Sequence, residues 1–86
     1  MSKPLWIAKA EEIFKFHQEQ LKIHLYDKWT VLDTANKFEL SIGRTSECLR
    51  LGRFLKSHRE VIEKFEYARD ALIWVKKEES RIRREE

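Results

Sequence analysis

Between Ser41 and Arg59 the chain carries Arg44, Arg50, Arg53, Lys56 and Arg59 against one acid, Glu47. A guanidinium is a flat fork of donors that stays charged at any working pH. It pairs two-pronged with carboxylates, with phosphates and with the O6/N7 edge of guanine. This stretch has a net charge of +4, whereas segments 1–29, 30–40 and 60–86 carry +1, −1 and −1. The excess positive charge of a chain whose total is only +3 is thus gathered on one short segment. Bases so placed neutralise phosphates and release counterions, and duplex binding through them would weaken steeply with salt. The plainer reading is a helix face made soluble by arginine.

The elements that must position these bases favour the first reading. Thr30 followed by Asp33 supplies a capping oxygen and an acid against the positive end of a helix dipole, so a helix is expected to start at Val31, with Ala35 and Phe38 on the same face. Ser41 caps a second helix through Ile42, Cys48, Leu49 and Leu55. In projection Thr45, Cys48, Leu49, Gly52 and Leu55 take one side and pack, while Gly43, Ser46, Glu47 and Arg50 take the other and face out. Glu39 and Leu40 alone separate the first helix from the Ser41 cap, which forces a steep crossing with small Ala35 at the close approach. Two short helices so joined make a helix-turn-helix, whose second helix enters the major groove.

The run Trp29-Thr30-Val31, then Asp33-Thr34-Ala35 and Leu40-Ser41-Ile42-Gly43, with a basic helix end following, resembles the helix-turn-helix of plasmid-partition (ParB/KorB-type) proteins over roughly residues 29 to 76. The resemblance implies a DNA-reading module alone, because the large nuclease-like and partner-binding parts of those proteins have no counterpart here. Glu39 stands where such turns often carry a glycine for its positive φ, which implies strain or a different turn. Thr45 takes an inward place usually held by Val or Ile.

By helix-turn-helix geometry Ser41, Gly43, Ser46, Glu47 and Arg50 are expected at base edges, Arg50 on guanine and Glu47 on a cytosine amino group or orienting Arg50. Lys37, Arg44, Arg53 and Lys56 are expected on phosphates, joined by the Thr30 end of the first motif helix through its N–H groups. One reading helix covers few base pairs, so a homodimer on two half-sites is expected. The expected role is a small regulator, or an accessory of replication, partition or packaging such as phage and plasmid genomes encode. The competing class is a non-catalytic helical interaction module whose arginines serve an acidic protein partner.

An 86-residue chain with 42% hydrophobic residues supports one modest core, and two Gly and one Pro leave few places for hairpins. The expected fold is a single all-α domain of four to five helices. Its parts are an N-terminal helix and connection (1–29), the helix-turn-helix (30–56) and a C-terminal helical segment with a charged, fraying tail (57–86). Met1-Ser2-Lys3 reads as a natural beginning, and Pro4 suits a first helical turn. Cys48 is the sole cysteine and no run approaches the ~20 apolar residues of a membrane span, so the cytoplasm is the expected compartment, at the nucleoid in a bacterium.

The first helix should run from Pro4 to Leu25 and bury the stripe Trp6, Ala10, Ile13, Phe14, His17, Leu21, His24 and Leu25. Leu5, Phe16 and Ile23 lie off that stripe, either closing the ends of the core or making a dimer contact. His17 and His24 have no third ligand beside them, so no metal is expected, and no cofactor or small-molecule substrate either. Trp29 suits the apolar half of a staple, and Ser57 to Glu60 forms a capping-box pattern. Val61, Phe65, Ala68, Leu72, Val75, Glu79 and Ile82 keep a heptad rhythm that serves the core if a turn falls near Phe65-Glu66-Tyr67, or a coiled coil if the helix is continuous; core packing is favoured. Tyr67 and Trp74 sit off that seam as a partner surface or as core. Glu79 with Arg83 and Arg81 with Glu85 are spaced to pair along the tail. No nucleophile elbow, phosphate-cradling loop or zinc pattern occurs, so no enzyme is expected.

Overall fold

The computed structural model describes residues 5–85, with side chains as far as Arg83. Among the described residues there are five helices and no strand: α1 (Leu5–Ile23), α2 (Val31–Lys37), α3 (Ile42–Ser57), α4 (Arg59–Ile62) and α5 (Ala68–Glu85). The all-α expectation is met. Pro4 and the residues before it lie outside the described part.

Helix α1 buries Ile7, Ala10, Ile13 and His17, one face at helical spacing. The expected stripe holds in its middle and fails at its far end, where Leu21 is 39% and Leu25 77% exposed. Helix α2 is short, and the contacts of Thr34 and Phe38 with α1 fall at His17 and Phe16, short of these two residues. Ile7, absent from the expected stripe, belongs to the core, and Trp6 lies partly buried beside it.

The core cluster gathers Ile7 and Ala10 from α1, Leu51, Phe54 and Leu55 from α3, Ile62 from α4, and Ala71, Leu72 and Val75 from α5. Each large side chain there contributes roughly 1.5–3 kcal/mol by leaving water. Helix α3 is the central element, since α1, α2, α4 and α5 all pack on it. At Gly52 the helices α1 and α3 approach closely: a Cβ there would stand 2.4 Å from the Cβ of Phe14.

A polar knot joins α1 to α2. The fully buried Thr34 hydroxyl accepts from Trp29 Nε1 at 2.8 Å and lies 2.6 Å from His17 Nδ1. Burial pushes the His17 imidazole below its ordinary pKa, which favours the neutral ring beside this hydroxyl. The expected apolar staple is therefore a hydrogen bond from Trp29 to Thr34. Trp29 also stacks on His24, with centroids 5.0 Å apart.

The C-terminal segment is two helices, with the break between Ile62 and Ala68 that a turn near Phe65 to Tyr67 requires. Trp6 Nε1 donates to the Glu66 carbonyl at 3.0 Å and ties the start of α1 to this turn. The Ser57 capping box does not form. Ser57 is still the last residue of α3, so the cap position falls to His58, which makes no side-chain cap bond, and the Ser57 hydroxyl meets His58 Nδ1 at 2.7 Å. Leu72 and Val75 bury as core, whereas Glu79 leaves the seam for an ion pair with α3. Glu78 pairs with Arg81, and Glu85, the expected partner of Arg81, has a side chain outside those described. No helix among the described residues is long and apolar enough to cross a membrane.

Candidate nucleic-acid interface

The two helices of the motif are set by their caps. Thr30 and Asp33 close a reciprocal capping box: the Thr30 backbone N–H donates to the Asp33 carboxylate at 2.9 Å, and Asp33 N–H donates back to the Thr30 hydroxyl at 3.3 Å. These bonds, the backbone one foremost, hold the Asp33 carboxyl below its usual range. The Asp33 carboxylate beside Thr30 opposes the expectation that this helix end receives a phosphate, because it would repel a second anion.

The turn is a left-handed helix stop. Glu39 has φ 55°, Leu40 N–H reaches back to the Ala35 carbonyl at 2.9 Å, and Glu39 N–H to that of Asn36 at 3.3 Å. This is the Schellman pattern, which ordinarily selects glycine at the position Glu39 occupies. Ala35 is buried behind it, and Ser41 caps α3 by accepting from Arg44 N–H at 3.1 Å. Thr45 is fully buried, its hydroxyl returned to the Ser41 carbonyl at 2.9 Å.

Beyond the turn, Ser41, Ile42, Gly43, Ser46, Arg50, Arg53 and Lys56 are all exposed. Ile42, Ser46, Leu49 and Arg53 recur at i, i+4, i+7 and i+11 and share one side, with Gly43 and Arg50 next to it. The inward set is corrected accordingly. Leu49 is only half-buried and lies on the outward side, and Leu51 and Phe54 take core places. Glu47 is half-buried on the flank, lining a cleft of about 170 Å³ with Trp6, Lys9, Arg44 and Leu72, so it is withdrawn from the outward face on which it was expected. Cys48 lies in the same cleft, its thiol pushed up by burial.

Arg50 Nε stands 3.3 Å from Glu79 Oε1 on α5. The sequence reading missed this contact, because Glu79 looked like a tail residue pairing along its own helix. Lys37 and Lys56 lie over the Phe16 and Phe14 rings, each 5.9 Å from the centroid. Arg59 is not part of this face: it holds Glu11 and, at 2.7 Å, Glu63, which raises its pKa.

Of the expected partner surface, Ile23 and Tyr67 are 69% and 61% exposed. Phe16 is corrected to an internal bridge, edge-on to Trp29 and to Phe38 at 6.0 and 5.3 Å, which joins α1 to α2. Trp74 is likewise half-buried and edge-on to Phe54 at 6.1 Å, with His58 alongside, so it closes the core rather than meeting a partner. Among the described residues no group of three or more His, Cys, Asp or Glu is placed to hold a metal ion. No family model matches this chain, and no curated protein or solved structure is significantly similar to it.

Proposed function

We propose that the protein is a sequence-recognising DNA-binding module of the helix-turn-helix kind, a small regulator or an accessory of replication, partition or packaging, with α3 in the major groove. The observation that carries this reading is the open side of α3. Ser46, Arg50 and Arg53 are exposed together there, and Gly43 at the first turn has open space around it. Arg50 and Arg53 supply the forks for guanine, Ser46 an adaptable hydroxyl, and Ser41 and Gly43 a close backbone approach. Arg44, Lys37 and Lys56 serve phosphates. Two copies on two half-sites supply the affinity that one reading helix lacks, and the exposed Ile23 and Tyr67 are available for contact between them. The likeness of residues 29 to 76 to plasmid-partition readers supports the same reading.

A second reading is supported by the Arg50–Glu79 pair. That arginine takes a carboxylate in the free protein, which is the group an acidic protein partner would offer.

Fluorescence anisotropy with random and genomic duplexes at two salt concentrations separates the two. Binding that falls steeply with salt is expected. Arg50→Ala should cost about 1–3 kcal/mol and relax sequence preference, and Lys56→Ala should weaken all sequences alike and flatten the salt slope by about one unit. No binding at low salt would overturn the DNA reading and favour the acidic partner.

A further inference from the structure

An open groove of about 400 Å³ runs between α1 and α3, on a side of α3 separate from Ser46 and Arg50. Its floor is apolar: the Phe14 ring, the Leu55 side chain and the bare backbone of Gly52, whose missing side chain lets α1 lie this close. Its walls are charged. Lys15, Lys22 and Lys56 line it with Glu19, while the further pair Arg59 and Glu11 is closed on itself. The groove thus offers a greasy base beneath an excess of positive charge.

We propose that this groove docks an amphipathic acidic peptide segment of another protein. Its apolar side chains would lie along Leu55 and the Phe14 ring, from which Lys56 would swing aside, and its carboxylates would meet Lys15, Lys22 and Lys56. Shape favours a segment over a compact ligand. The α1 wall extends from Glu11 to Lys22, about 16 Å of helix, and an open trough of that length would leave a small molecule largely in water. An apolar stripe laid in a groove is how amphipathic helices are commonly recognised, and complementary charge at the rim selects the partner and speeds its arrival. Because Lys15 and Lys22 belong to α1, this proposal does not rest on DNA binding by α3.

The test is a selection from a displayed library of random peptides of about 14 residues, long enough to span the groove as a helix. The full-length protein is the bait, and winners are measured by anisotropy against Lys15→Glu/Lys22→Glu, a surface variant whose folding is checked by circular dichroism. Winners should carry apolar residues at helical spacing flanked by Asp and Glu. They should bind the double variant about tenfold more weakly, while duplex binding is unchanged. A library that yields no binders, or binders indifferent to the double variant, overturns the proposal. So does dodecanoate competing for the groove where no peptide binds, which would make it a small-ligand site.

Discussion

Arg50 on α3 and Glu79 on α5 face each other at 3.3 Å, with 42% and 29% of their side chains exposed. A half-exposed pair of this kind is worth about 0.2–1 kcal/mol, so a duplex offering two acceptors on a guanine edge outbids it. On the proposed DNA reading, Glu79 is therefore a weak brake on Arg50. Glu79→Gln should tighten duplex binding by about two- to fivefold, and the gain should shrink when Arg50 is already Ala. Anisotropy titrations across the four-variant cycle check this; equal affinity for Glu79→Gln and the parent would show that the pair has no bearing on binding.

Gly52 sets two local effects against each other. In a helix interior Ala is favoured over Gly by about 0.5–1 kcal/mol. Here, though, the added Cβ would stand 2.4 Å from the Cβ of Phe14, an atom fixed to the α1 backbone, so α1 itself must move. Overpacking of that order costs about 1–3 kcal/mol, which outweighs the propensity gain. Gly52→Ala should lower the urea midpoint, and a rise in stability would mean that α1 sits farther from α3.

Acid should lower the stability of the protein in two pH windows. His17 is held below its ordinary pKa of 6.5 by burial, so the unfolded chain binds more protons and stability rises with pH. Its contribution is in place above 6.5 and is lost as pH falls from there toward the depressed value. His17→Gln keeps a group that can hydrogen-bond to Thr34 and removes the titration, so the loss of stability as pH falls below 6.5 should be smaller in the variant. Asp33 acts lower: its depressed carboxyl stabilises above 3.8, and that stabilisation is lost as pH falls through the depressed value. Denaturant midpoints at several pH values resolve both windows, and matching profiles for parent and His17→Gln would sink the first assignment.

How much of this was legible in the sequence depended on whether the signal was local. The two caps at Thr30 and Ser41 lie within three residues of the groups they satisfy, and both form as the residue types dictate. The helical character of nearly every segment followed from apolar spacing. What escaped was set by neighbours distant in the chain. Phe16 reads as stray from α1 alone, because Trp29 and Phe38 arrive only through the fold. Glu79 reads as part of a charged tail until α5 brings it to Arg50. The place of Arg53 beside Ser46 was readable, being one step of seven residues along α3.

Glu39 is the strained residue of the turn between α2 and α3. Its φ of 55° is the left-handed region, which costs an ordinary residue roughly 1–2 kcal/mol, whereas glycine enters it freely. Glycine also makes the unfolded chain more flexible, which returns about 0.4–1 kcal/mol to the unfolded side. The balance favours Glu39→Gly by about 1 kcal/mol or somewhat less. Charge is a competing explanation for any gain, since an acid just past the end of α2 faces the negative end of that helix dipole. Glu39→Ala separates the two: it removes the charge and keeps the strained Cβ, so it should stay within about 0.5 kcal/mol of the parent. If Ala stabilises as much as Gly in thermal denaturation, the dipole and not the backbone is what Glu39 opposes.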